Sequence, residues 1–329
     1  MRGKGIAYST GFVLKGENSL PVFDPEAVRR DLRVIRDELH CTAVHLVGGD
    51  PDRLERAARW AAELGLEVWF SPYPLELTAQ QLTALLADCA ERAERVRADG
   101  AEVVFVTGVE LSIMNRGFTP GDDVLDRVGQ LLGNPARMAE AATRLNEFLA
   151  DAVTRVREVF HGRVTYAAIP FERVDWDLFD VVSLELIRSA EVADRYAEGI
   201  RSVVAQGKPV AITGFGTAAW RGSGAVAPRS MEIVEHDRDG RPVGIKAGYE
   251  RDEDEQARYL REVLAVLEVE RVDSAFVYLF ALNDFPHRPG DPRRDLDMAS
   301  PGIVKVREDG SWEPKAAFAA VAEHYAHTG

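Results

Sequence analysis

The chain has 329 residues, 46% of them hydrophobic and 29% charged, with a formal net charge of -14. That is enough apolar material for a large globular core, and the acidic excess argues against nucleic acid and anionic membranes as partners. No apolar run approaches the roughly 20 residues of a membrane span. The opening residues also lack the charged, apolar and cleavable regions of a secretion signal, so a cytoplasmic location is expected.

The first apolar run, Gly5 to Ser9, reads as a strand. A helical stripe follows in Val28, Leu32, Ile35 and Leu39, then a second strand from Ala43 to Val47 and a third from Leu66 to Phe70. Leu82, Leu85, Leu86, Cys89, Ala93 and Val96 form the next stripe, before a fourth strand at Val103 to Thr107. Ala141, Leu145, Phe148, Ala152, Val156 and Val159 make the longest stripe. The remaining strands are Val164 to Ile169, Val181 to Leu186, Pro209 to Thr213 and Ser274 to Phe280. A last helix over Pro314–Ala326 presents Phe318, Val321 and Tyr325 on one face. Continuous apolar strands suit a parallel sheet buried on both faces. Alternating strands and amphipathic helices call for right-handed βαβ units. The expected architecture is α/β, a (β/α)8 TIM barrel over residues 1–329 with no domain boundary.

Gly65, Gly100, Gly162 and Gly207 each stand between a helix and a strand, where glycine accepts a left-handed conformation. Those connections are therefore short. Segments Leu111–Arg137, Phe215–Asp252 and Ala281–Pro301 are long, and all follow strands. Long loops at one mouth mark the end where such barrels build sites. Within the second of them, at about 228–250, two extended runs flank an Asp-Gly pair, the pattern of a β-hairpin. It reads equally as a lid or as a solvated excursion.

Three carboxylates fall at strand exits: Glu110 after the fourth, Glu172 after the fifth and Glu185 at the end of the sixth. Low-dielectric walls raise a carboxyl pKa, so a neutral Glu can donate a proton and an ionised one accept it. Capping a helix or pairing with an Arg is the structural alternative. Glu110 directly follows the apolar run VVFVTGV, an unexpected place for an acid without a function. His45, inside the second strand, is either a proton-transfer group or a histidine hydrogen-bonded within the barrel. Tyr8, Trp69, Tyr73, Trp176, Trp220 and Phe285 sit near strand ends, joined by Phe280 and Asp284 at the eighth exit. Rings at a mouth stack on sugars or enclose apolar ligands, although each ring alone is more often packing.

Cys41 and Cys89 form no paired motif and read as buried free thiols, and no HExxH or spaced His set appears. No metal and no cofactor is expected. Gly214-Phe215-Gly216 is too short a pattern to be a nucleotide motif, and the acidic run Glu250–Gln256 reads as a helix start.

The segment KPVAITGFGTAAWRG resembles the strand-seven signature of clan A glycoside hydrolases. More narrowly, it is similar to an actinobacterial group of barrels labelled abortive infection or glycosidase-like. VRRDLRVIRDELHCTAV, VVFVTGVELS, PFERVDW, RDEDEQARYL, DPRRDLDMAS and WEPKAAF extend the resemblance over nearly the whole chain. It implies that Glu110 is the acid/base. It also implies that Gly214 occupies the place of a strand-seven Glu nucleophile. His45 and Ile187 replace the Arg and Tyr that would support that nucleophile.

Retaining hydrolysis needs a second carboxyl ~5–5.5 Å from the first, and glycine supplies none. The expectation is thus a vacant seat beside Gly214 on a glycosidase-like frame, where a water-filled cavity lined by carboxylates favours hydrolysis and an apolar pocket walled by Ile187 and Phe215 favours a non-sugar substrate. The frame would be repurposed for elimination, isomerisation or cyclisation of a small, partly apolar molecule in specialised metabolism. Glu110 would act there with Glu172, Glu185 or His45. The alternatives are an inverting or substrate-assisted glycosidase, with Glu172 or Glu185 activating water, and an inactive barrel that binds a sugar or metabolite.

Overall fold

In the computed structural model, which describes residues 1–238 and 241–327, eight parallel strands close into a barrel. They are β1 (Gly3–Ser9), β2 (Ala43–Gly48), β3 (Glu67–Pro72), β4 (Val103–Val109), β5 (Arg163–Ala168), β6 (Val182–Glu185), β7 (Val210–Phe215) and β8 (Ser274–Val277). Each strand neighbours its predecessor in sequence, and β8 closes on β1 through Gly5 opposite Phe276.

The helices are α1 (Pro25–Asp37), α2 (Pro51–Glu63), α3 (Ala79–Ala98), α4 (Leu111–Met114), α5 (Val124–Leu131), α6 (Pro135–Val159), α7 (Ala193–Val204), α8 (Glu253–Val269) and α9 (Ala316–His327). Local chemistry sets several of their starts. Asp24, Asp50 and Asn134 accept backbone N–H bonds at the N-termini of α1, α2 and α6, and each is followed by proline. Asp252 caps α8, where the acidic first turn Glu253-Asp254-Glu255 suits the helix dipole.

Strand alternation divides the core in two. Val44, Leu46, Phe70, Phe105, Val164 and Ile212 face the helices, while Trp69, Val104, Val106, Ala167 and Phe276 fill the lumen. Gly65, Gly100 and Gly207 take positive φ angles of 75°, 101° and 88°, as the short helix-to-strand turns require. Gly162 does not. A Cβ there would lie 2.6 Å from Phe160 and 2.9 Å from the Val103 carbonyl, so it is close approach that demands glycine. Cys41 and Cys89 are buried free thiols.

The long strand-to-helix loops collect at the C-terminal mouth. The loop after β7 contains an antiparallel hairpin pairing Val234–His236 with Pro242–Ile245. The Asp239-Gly240 turn expected at its tip lies outside the described residues. A second hairpin, Val13–Leu14 with Glu17–Asn18, follows β1 and has no counterpart in the sequence reading. Between β5 and β6 the chain makes only 3-10 turns, Pro170–Glu172 and Trp176–Leu178, so one crossover lacks an α-helix. None of the described helices is long and apolar enough to cross a membrane.

Candidate active site

Glu110 leaves β4 in the left-handed region, at φ 47° and ψ 40°. Such a conformation is uncommon for a residue with a Cβ and persists where its surroundings over-determine it. Here they do. The Glu110 N–H donates to the Ala167 carbonyl at 3.0 Å, and its own carbonyl accepts from Met114 N–H at 3.0 Å. Behind the turn, the Tyr166 hydroxyl accepts from Leu111 N–H at 2.7 Å and donates to Glu172 Oε1 at 2.8 Å. Glu172 Oε1 also accepts from Ser112 N–H at 3.1 Å, and its Oε2 accepts from Ile169 N–H at 3.0 Å. Burial pushes Glu172 up to about 7 against the pull of these donors. Both its oxygens are thus committed to fixing the β4 and β5 exits, and Glu172 positions Glu110 as a brace.

Glu185, the last residue of β6, stands in register with Gly214 of β7. A Cβ built on Gly214 would lie 1.7 Å from Glu185 Oε2 and 2.8 Å from its carboxyl carbon. The space that a strand-seven side chain would take is therefore filled by the carboxyl of Glu185. This corrects the expectation of a vacant seat. Of the two alternatives for that space, the apolar pocket walled by Ile187 and Phe215 is not the one found. Phe215 is fully buried in the layer between barrel and helices, and Ile187 packs half-buried against that same layer.

Glu110 and Glu185 are both half-buried and influence each other. Burial first, then the charges of Glu185 and Glu172, hold the Glu110 carboxyl well above the usual carboxylate range. Burial lifts Glu185 to about 7, with the Thr213 hydroxyl opposing the rise and Glu172 adding to it. Both carboxyls are thus held above the usual carboxylate range in one poorly solvated mouth. Tyr73 and Tyr278 stand over this pair. Burial raises both phenols, and the carboxylates Glu110 and Glu185 raise them further. The two rings line a cleft of about 900 Å³ that also includes Phe12, Leu75, Met114 and Asp284.

His45 lies lower in the lumen, buried beside Phe276 with ring centroids 5.5 Å apart. Its Nδ1 lies 3.2 Å from the Thr213 carbonyl, and burial lowers its pKa to about 4. It is neutral at physiological pH and belongs to the floor beneath the acids. The carbonyl of Thr213 fixes the proton on Nδ1, since only a donor can face it.

The expected aromatic rim is dispersed. Of those rings only Tyr73 lines the cleft that Tyr278 also lines. Trp69 is sealed in the lumen, donating to Glu67 Oε1 at 2.7 Å, and Glu67 also pairs with Arg2 and Arg163. Trp176 packs edge-on against Phe179 in the 3-10 turn before β6. Trp220 donates to the Ser230 carbonyl at 2.9 Å and helps to build the core of its own loop, a second core that includes Phe285. Phe280 is fully buried between Tyr8 and Trp312. Tyr8 bonds Asp31 at 3.1 Å and, with Asp284, borders a neighbouring cleft of about 840 Å³. Single rings near strand ends mostly serve packing here, because strand alternation and loop cores take them up.

Tyr166 and Tyr278 escaped the sequence reading. Tyr278 stands two residues beyond lumen-facing Phe276, and that period of two was the available signal. Tyr166 lies in the layer between barrel and helices, beneath the site, and nothing in its local sequence announces the bond to Glu172.

His287, Asp295 and Asp297 bring potential ligand atoms within 4.8 Å of one another. The two aspartates already have cations: Arg251 Nη2 lies 2.8 Å from Asp295 and 2.9 Å from Asp297, and Lys315 Nζ lies 3.0 Å from Asp297. The cluster is complete as an ionic tie between loop and α9.

No family model and no curated protein matches this chain. Solved glycosidases do share its fold. A GH113 β-1,4-mannanase superposes with a TM-score of 0.66 at 17% identity, covering 99% of this chain and 100% of that one. A family 1 β-glucosidase from Thermotoga maritima gives 0.60 at 13% identity, covering 100% and 98%. A calcium-binding mutant of Bacteroides uniformis β-glucuronidase 2 gives 0.63 at 11%, covering all of this chain and 35% of that one. The chain is a (β/α)8 TIM barrel of the form these glycosidases share.

Proposed function

We propose that this chain cleaves glycosidic bonds with Glu110 and Glu185 as its two acids, the second drawn from β6 in place of a β7 residue. The observation that carries this reading is the Glu185 carboxyl lying in the side-chain space of Gly214, near a Glu110 carboxyl that burial holds well above the usual carboxylate range. Glu110 donates its proton to the glycosidic oxygen as the bond to the anomeric carbon breaks. Glu185, ionised, either attacks that carbon or takes a proton from the water that does. A retaining pair stands ~5–5.5 Å apart and an inverting pair ~6.5–9.5 Å. The anomer first released, read by proton NMR, separates the two routes. The glycosidases that share the fold support a sugar substrate, and function must still be argued from the site.

The test is a panel of 4-nitrophenyl glycosides with the wild type, Glu110→Gln and Glu185→Gln. Release of nitrophenol by the wild type, lost in both variants, is the expected result. Retention of full activity in Glu185→Gln overturns the assignment.

A second reading is favoured by the apolar content of the cleft, where Phe12, Leu75 and Met114 join the two tyrosines. In it the same pair performs elimination, isomerisation or cyclisation on a small, partly apolar molecule of specialised metabolism. It predicts no nitrophenol release. A barrel that only binds predicts saturable ligand binding unchanged by either variant.

A further inference from the structure

Two hairpins bring cations over the cleft that descends to Tyr73 and Tyr278. Lys15 sits at the turn between the two strands that follow β1, in a left-handed conformation at φ 52°. Arg238 and Arg241 come from the hairpin after β7. All three line the same cleft of about 900 Å³. Among the described residues, none of the three side chains has an ion-pair partner within 4.0 Å.

The chain carries a net charge of -14 and pairs much of its basic surface. Neighbouring Arg293, for example, holds Glu235 of the same hairpin at 3.0 Å. Glu17 and Asp284 also line the cleft, so its rim carries three cations against two carboxylates, a positive balance beside Tyr73 and Tyr278. A neutral sugar has no use for such a rim. A substrate with an anionic group at the end away from the scissile bond does: the cations hold that group, and its charge stays clear of Glu185. Guanidinium and ammonium together suit a carboxylate or a phosphate.

We infer that the cleft binds a substrate bearing an anionic substituent, a carboxylate or phosphate held by Lys15, Arg238 and Arg241. This deepens the glycosidase reading, but its test is independent of turnover. Phenyl thio-β-glucuronide and phenyl thio-β-glucoside, both resistant to hydrolysis, are titrated into the wild-type protein by calorimetry, with glucose 6-phosphate against glucose as the phosphate arm.

The acidic member of at least one pair is expected to bind about tenfold tighter at low salt, the scale of a few partly screened contacts. That advantage should shrink in 0.5 M sodium chloride and vanish in the triple variant Lys15→Ala, Arg238→Ala, Arg241→Ala, with an unchanged melting temperature. Which pair responds separates carboxylate from phosphate. Equal binding within both pairs, no binding by either acidic probe, or a preference that survives the triple variant overturns the inference. Preference without nitrophenol release sinks the glycosidase reading alone.

Discussion

Two clusters of acids, one buried and one half-buried, are solved differently. Asp295 and Asp297 meet Arg251 and Lys315 within 3.0 Å, so every charge has its opposite. The Arg251 charge keeps Asp295 below the usual carboxylate range despite burial. Among the described residues Glu110 and Glu185 have no ion-pair partner, and burial pushes both up. Acids left without a cation in a poorly solvated mouth, beside a loop whose acids are fully paired, are the pattern that marks a candidate proton-transfer site. The uncompensated pair costs stability and marks the candidate site. The compensated one ties the chain together.

The sharpest way to break that contrast is to remove single acids. Glu110→Gln or Glu185→Gln should lower kcat by about 10²–10⁴-fold while the melting temperature holds or rises. A fall in melting temperature with activity intact would reverse the assignment. Lys315→Met should do the opposite. It leaves the buried Asp295 and Asp297 sharing Arg251 alone and is expected to cost on the order of 3 kcal/mol, read from urea denaturation, and adding Asp297→Leu should recover much of it.

The third contrast lies in pH. A carboxyl whose folded pKa is raised contributes stability that is complete below its unfolded value near 4.3 and is lost as pH climbs through the folded value. For Glu185 that window runs up to about 7, and the loss should be on the order of 3–4 kcal/mol. Glu185→Gln should flatten the stability curve over that window. Activity should rise as Glu185 ionises and fall when Glu110 gives up its proton, giving a bell. The smallest expected effect belongs to the brace. Tyr166→Phe should reduce kcat roughly tenfold with little change in KM, because it loosens the Glu110 turn without touching the cleft.

How much of this was legible beforehand differs residue by residue. The three glutamates were all visible at strand exits, yet their roles were not separable. Glu172 became a brace only because Tyr166, Ser112 and Ile169 converge on it from two strands. Gly214 announced a missing side chain. That Glu185 from the neighbouring strand fills the gap follows from the β6–β7 register, which no local pattern encodes. Trp69 and Trp176 looked like rim residues because they lie near strands. The direction of a side chain on a strand, and the end of the barrel it belongs to, place them elsewhere.

The sequence alone determined the barrel, since strand and helix periodicity, Asp and Asn caps before prolines, and glycines at helix ends are local signals that agree with one another. It also placed the three glutamates at strand exits, which in such a barrel lie at one end. Only the tertiary structure decided which acid faces which, because that rests on distances between strands far apart in the chain. There burial and mutual charge, absent from any single segment, set the protonation of the pair.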